Sequence, residues 1–179
     1  MNPIINRFEN IKSIINNSNV KIIAVSKTFP YDTICPLVDY GHIHFGENKV
    51  QEAQHKWFDI KKNHPDVNLH MIGKLQSNKA RDAVKLFDYI HSLDNQKLAN
   101  ALAKHENINN KKLKYFIQVN IANEKQKSGI TINLLDDFYY YCVRDLKINI
   151  IGLMAIPPID SNEDSYFKIN QIFRKLTKG

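Results

Sequence analysis

Apolar spacing along this chain switches repeatedly between two periods, and that switching is the strongest constraint on its fold. Ile4, Phe8, Ile11 and Ile15 recur at helical spacing, and Val20 to Val25 then forms a β-branched run of the kind found in a strand covered on both faces. Further strand candidates are Ile43 to Phe45, Leu69 to Ile72, Tyr89 to His91, Leu113 to Ile121 and Ile148 to Ile156, each followed by a helical pattern. Val50, Ala53, Trp57 and Ile60 mark one such helix; Ala80, Ala83, Val84 and Phe87 another; Leu98, Ala101, Leu102 and His105 a third; Leu135, Phe138 and Cys142 a fourth; Tyr166, Ile169, Ile172, Phe173 and Leu176 the last. Alternation of this kind implies parallel pairing with right-handed crossovers, hence an α/β barrel or a doubly wound sheet. An eight-unit barrel needs about 250 residues, roughly 31 per unit. The chain has 179, enough for the six strand candidates counted here.

Composition bounds the class. A hydrophobic content of 43% supports one folded domain with a core. The net charge of +7 invites a nucleic-acid reading, yet the basic residues are spread along the chain rather than gathered in one block, so they read as a solvated surface. No nucleic-acid partner is expected. Cys35 and Cys142 lie far apart and form no CxxC pair, which predicts core thiols in a reducing cytoplasm rather than a disulfide framework or zinc ribbon. The start, MNPIINRFENIK, has no uninterrupted apolar core like that of a signal peptide, and no stretch approaches the ~20 apolar residues of a membrane span. A soluble protein without membrane contact is expected.

The stretch IIAVSKTFP places Lys27 at the C-terminal end of the first strand, where parallel α/β folds carry their functional groups. Apolar neighbours there would favour the neutral amine, the form that attacks a carbonyl to give a Schiff base. An ordinary strand-end lysine reaching for water is the competing reading. FGENKVQEAQ sets Gly46, Glu47 and Asn48 between a strand and a helix, so Asn48 offers a donor and an acceptor to a ligand or caps the helix. HMIGKLQSNKAR repeats the arrangement, with Ser77 as the expected N-cap and Lys79 and Arg81 in the first turns. QVNIANEKQKSGI ends a strand at Asn120 and runs to Lys127, which could meet a phosphate or carboxylate or stand exposed in a loop. IIGLMAIPP ends the sixth strand with Gly152, Met154 and Ala155, groups that let a flat ring lie close or that pack a barrel interior. His42 and His44 share a strand face without a third ligand at a recognisable spacing, and His70 and His91 are expected to be hydrogen-bonded interior residues. No metal site is expected. GxGxxG, Walker A and GxSxG motifs are all missing from the sequence, so dinucleotide, NTP and serine-hydrolase readings lack support.

Taken in order, AVSKTFP, HFGENKVQE, HMIGKLQSNKAR, IHSLDNQKLA, QVNIANEKQKSG and GLMAIPP resemble the pyridoxal phosphate homeostasis proteins, single-domain (βα)8 barrels related to the barrel half of alanine racemase. The resemblance runs from about Val20 to Pro158. It implies a TIM-barrel type fold, here incomplete with about six strands and lacking the last two βα units, in a single cofactor-binding domain of residues 1–179 with its C-terminal portion missing. It also implies that Lys27 holds pyridoxal 5′-phosphate as an internal aldimine. Asn48 is placed near the ring substituents and Lys127 at the rim of the site, with Met154 as a fourth cofactor-binding residue.

The implied function is non-catalytic: holding the cofactor, buffering it or delivering it to cofactor-dependent apoenzymes in the cytoplasm, as a monomer. Open barrel edges would promote association. The alternative is a residual racemase-like enzyme acting on amino acids, although racemase chemistry needs a second acid-base residue and a second domain that this chain does not offer.

Two departures from the family pattern carry expectations of their own. Phe29 stands where the family usually has a second lysine, and Leu69 and Lys74 replace a tryptophan and a proline. A nearby cation favours the neutral amine, so its loss is expected to hinder condensation at Lys27 or slow cofactor transfer. No glycine lies between Gly152 and Gly179, whereas tight backbone approach to a phosphate exploits glycines and helix N-termini. Phosphate anchoring is therefore expected to be weak.

Overall fold

In the computed structural model, the described residues are 2–17, 19–121, 128–156 and 164–177. Their element order is α1 (Pro3–Ile15), β1 (Ala24–Val25), α2 (Tyr31–Asp39), β2 (His44–Glu47), α3 (Val50–Trp57), α4 (Ile60–Asn63), β3 (Asn68–Met71), a 3-10 turn (Ser77–Lys79), α5 (Ala80–Leu86), β4 (Tyr89–Leu93), α6 (Gln96–Asn109), β5 (Lys114–Asn120), β6 (Ile130–Thr131), α7 (Ile132–Tyr140), a π-helical turn (Tyr141–Asp145), β7 (Asn149–Met154) and α8 (Asp164–Leu176).

All strand pairs are parallel, running β1-β2-β3-β4-β5 with β7 beside β5. β6 pairs with Val119 and Asn120, just past the part of β5 that β7 covers. Six staves therefore curve as in a TIM barrel, with one short extra strand at the top of β5. β1 and β7 each pair on one side only among the described residues, so the sheet does not close, as the resemblance implied.

Strand parity decides which face each residue serves. On β2 and β3, Phe45, Leu69 and Met71 point to the helices and are almost wholly buried with Trp57 of α3. Ile90, Tyr115 and Ile117 continue this layer on β4 and β5. The helix positions read from the sequence fill it from outside: Val50, Ala53, Trp57, Ile60, Ala80, Ala83, Val84, Leu98, Leu102, Leu135, Phe138 and Cys142 are all buried. The layer between sheet and helices is therefore complete.

The lumen side differs. The Val20 to Val25 run was expected to be a doubly covered strand, but only Ala24 and Val25 enter the ladder, and Val20 and Val25 are 50% and 48% exposed. Among the described residues β1 pairs with β2 alone, at an edge of the sheet, and its lumen face is left partly uncovered. α1 likewise buries none of its residues fully, although Ile4 and Phe8 lean on the core. The helix α2 was not read from the sequence, because Pro36 interrupts its pattern from within. Cys142 is a core thiol as expected, while Cys35 is only half-buried on α2.

A buried carboxylate fixes the α6-to-β5 connection. Glu106 is fully buried and accepts hydrogen bonds from the Leu113 N–H (2.6 Å), the Tyr115 hydroxyl (2.9 Å) and Lys112 Nζ (3.2 Å). Burial, then the neighbouring Glu106 charge, pushes the Tyr115 phenol up, so it stays a donor. Replacing Glu106 by Ala strands buried donors, and a loss of about 3 kcal/mol is expected. Urea denaturation checks this; a change below about 1 kcal/mol would contradict the role given to the carboxylate.

Candidate functional site

The C-terminal ends of β1, β2, β3, β5 and β7 carry the residues singled out from the sequence. Lys27 follows β1 as the first residue of a turn and is exposed. The apolar shielding expected around it is not there, because the open edge leaves Val25 half exposed beside it. Thr28 lies in the left-handed region, at φ 67°. For a β-branched residue this costs on the order of 1–3 kcal/mol and persists only where surrounding structure over-determines it. The turn closes with the Phe29 N–H donating to the Ser26 carbonyl at 3.2 Å, Phe29 stays 51% exposed, and Pro30 caps α2.

Beneath this turn is a polar cluster that the sequence reading did not single out. Ser26 and Glu47 are buried; Glu47 Oε1 accepts from Ser26 Oγ at 2.7 Å, from Trp57 Nε1 at 2.9 Å and from Lys56 Nζ at 2.9 Å. Lys56 Nζ also donates to the Ser26 carbonyl at 2.7 Å. Parity was the available signal, since Glu47 shares the helix-facing side of β2 with Phe45, and an acid on an apolar face demands partners.

Asn48 follows β2 and is half-buried, and its Oδ1 is enclosed without a hydrogen-bond partner. It does not cap α3, whose N-cap is Lys49. Gly73 presses against it: a Cβ there would lie 2.4 Å from the Asn48 carbonyl oxygen and 2.7 Å from its Cβ. Asn48 also lines a cavity of about 210 Å³ with Lys49, Lys74, Gln76 and Lys79. Ser77 opens the 3-10 turn rather than capping a helix, because the chain tightens there before α5 begins at Ala80.

Met154 ends β7 opposite Gln118 and lines a cavity of about 450 Å³ against Ile169 and Phe173 of α8. It stands on the opposite sheet edge from Lys27. Asn120 ends β5, paired with Thr131. Lys127 lies outside the described residues.

Lower in the lumen, three histidines form a hydrogen-bonded row. His44 Nδ1 and His70 Nε2 are 3.0 Å apart, and His70 Nδ1 and His91 Nε2 are 2.9 Å apart. His70 stacks on Tyr89 and His91 on Phe116. The interior hydrogen bonding expected of His70 and His91 is thus supplied partly by each other. Desolvation first, then the neighbouring imidazoles and Lys21, lowers His70 to about 3; desolvation lowers His91 to about 4. A row of neutral rings sharing protons end to end results. No group of three or more His, Cys, Asp or Glu among the described residues is arranged to hold a metal ion.

This chain matches the family described as alanine racemase, N-terminal domain, over residues 2–178. It is 39% identical to the pyridoxal phosphate homeostasis protein of Vibrio cholerae over 142 residues, covering 78% of this chain and 60% of that protein. It is 35% identical to that of Haemophilus influenzae, covering 90% of this chain and 70% of the relative. Among solved structures, PipY of Synechococcus elongatus without PLP superposes with a TM-score of 0.86 at 32% identity, over 95% of this chain and 81% of PipY; the PLP-bound form gives 0.81 at 31%. An alanine racemase of Clostridium difficile, at 12% identity and a TM-score of 0.69, shares the fold. The chain belongs to the alanine racemase N-terminal domain family and, within it, to the pyridoxal phosphate homeostasis proteins.

Two measurements test the geometry. Gly73→Ala forces Asn48 to move and is expected to cost about 1–3 kcal/mol in chemical denaturation; wild-type stability would contradict the close approach. The second is pH dependence. Unfolded histidines bind protons below 6.5 while folded His70 and His91 do not until about 3 and 4, so stability is full above 6.5 and falls as pH drops through that window. Denaturation midpoints are expected to be lower near pH 5.5 than near pH 7.5. Equal midpoints would exclude the neutral row.

Proposed function

We propose that this chain is a non-catalytic carrier of pyridoxal 5′-phosphate, with Lys27 as the point of attachment and residues 1–179 acting as one cofactor-binding domain. The observation that carries the reading is the exposed primary amine of Lys27 at the end of β1, held in a strained turn next to a buried polar cluster. When bound, the cofactor supplies an aldehyde that condenses with a primary amine and releases water. Lys27 provides that amine, and its exposure leaves the approach open.

Asn48 fits as a second contact, since its enclosed Oδ1 lacks a partner and would accept a hydrogen bond from a ring substituent. Lys49, Lys74 and Lys79 around the neighbouring cavity make that side of the rim cationic, suited to an anionic group. Met154 completes the proposed set as a soft surface for the ring, with Lys127, which lies outside the described residues, as a further candidate. Gly73 and Gly152 do not open a seat for phosphate, because Gly73 packs on Asn48 and Gly152 on the Phe116 ring. Affinity is therefore expected to be lower than in a barrel with a full phosphate cradle.

The chain would act in the cytoplasm, as a monomer, passing the cofactor to cofactor-dependent apoenzymes. No helix among the described residues is long and apolar enough to cross a membrane.

The test is to mix the purified chain with pyridoxal phosphate, reduce with borohydride and map the modified lysine. Modification concentrated at Lys27, and its loss in Lys27→Ala without change in modification elsewhere, are the expected results. Modification spread evenly over surface lysines would overturn the reading, and steady turnover of added amino acids would replace the carrier with a racemase-like enzyme.

A further inference from the structure

Lys27 presents a mechanical problem. Among the described residues its strand has two paired residues, lies at a sheet edge and pairs with β2 alone, so by itself it would fray. A lysine on a fraying edge has no more claim on an aldehyde than any other surface lysine. The residue before it, however, is held at each of its polar groups. The Ser26 N–H donates to the Gly46 carbonyl at 3.0 Å; its hydroxyl donates to Glu47 Oε1; its carbonyl accepts from Lys56 Nζ and the Phe29 N–H. Glu47 is fully buried and the Lys56 side chain is only 11% exposed, so the ion pair between them is shielded from solvent and salt. Both Lys56 and Trp57 belong to α3, which Val50, Ala53 and Trp57 anchor in the core.

We propose that Glu47 and Lys56 are positioning residues for Lys27: by strapping Ser26 to α3 they hold the left-handed turn at Thr28 and fix the direction in which the Lys27 amine leaves the rim. The proposal rests on Lys27 being the attachment point. The strap supplies a fixed backbone at the residue next to the one bearing the amine, where β1 pairs with β2 alone among the described residues. The strained Thr28 sits between Ser26, held by these bonds, and Phe29, whose N–H donates to the Ser26 carbonyl.

The test compares modification at Lys27 with that at Lys85 and Lys104, two exposed lysines remote in sequence from the strap. The full chain is treated with limiting pyridoxal phosphate, reduced with borohydride and mapped by mass spectrometry. Ser26→Ala, which leaves the buried ion pair intact, and Lys56→Met are each expected to lower the share at Lys27 about tenfold, with Lys85 and Lys104 unchanged, as misplacing a reactive group does. Lys56→Arg, which restores the cation and its donors, is expected to recover most of it. Because Lys56→Met leaves Glu47 buried without its cation and can unfold the chain, circular dichroism accompanies each variant; Ser26→Ala, which keeps the backbone carbonyl that Lys56 holds, decides the Glu47 arm of the strap.

Folded Ser26→Ala with the wild-type share at Lys27 overturns the role given to Glu47, and folded Lys56→Met with that share overturns the role given to Lys56, both while leaving Lys27 as attachment point. A general rise in modification that includes the half-buried Lys61 marks a merely structural role and overturns the proposal. A wild-type chain with no excess at Lys27 removes the attachment reading itself, and the positioning proposal with it.

Discussion

Two fully buried carboxylates hold the irregular parts of this fold in place, and Glu47 is the one on which the site depends. A carboxylate removed from water is tolerated only when it finds donors. Glu47 Oε1 finds three, from Ser26 just after β1 and from Lys56 and Trp57 on α3, while its Oε2 is buried without a partner among the described residues, so the demand of one buried charge joins the sheet edge to the helix layer. Glu106 does the same between α6 and β5. Glu47 thereby adds a side-chain link just past a two-residue strand that pairs on one side only among the described residues.

The two sides of the sheet are unequal because a barrel closes only on itself. Helices cover the outer face regardless of stave number, so that core is full. Among the described residues the lumen is lined by six staves, and Val25, Phe29 and Ile156 are exposed at or beyond the sheet edges. Within the lumen the histidines of a row, His70 stacked on Tyr89 and His91 on Phe116, satisfy one another across three strands. Such a row tolerates partial wetting better than a hydrocarbon layer, at the cost of sensitivity to protonation.

Helix faces were legible from the sequence because their spacing is local: Val50, Ala53, Trp57 and Ile60 are buried, as are Ala80, Ala83 and Val84. Strand positions were legible to within a few residues, and Lys27 does stand at the end of β1. What escaped depends on contacts distant in sequence. β1 is shorter than its β-branched run because only Ala24 and Val25 pair, with β2 alone among the described residues. Glu47 meets Ser26 and Trp57 across the β1-α2 and β2-α3 segments, and no local pattern announces this beyond an acid at a helix-facing position. Pro36 concealed α2, and Ser77, a good cap by residue type, was taken into a 3-10 turn. The His44–His70–His91 row needed the register of three strands, although interior hydrogen bonding of the last two was expected. Similarity of the six ordered motifs to the homeostasis proteins conveyed the family, and the cofactor reading with it, more directly than any single residue.

Attachment of the cofactor to a single amine at the first stave is the claim on which the account stands. A crystal structure of the chain grown with pyridoxal phosphate addresses it most directly. Continuous density from Lys27 Nζ to the cofactor, with Asn48 against the ring, is the predicted result. Density joined to a different lysine, or a cofactor resting in the rim without a bond to the protein, would contradict it.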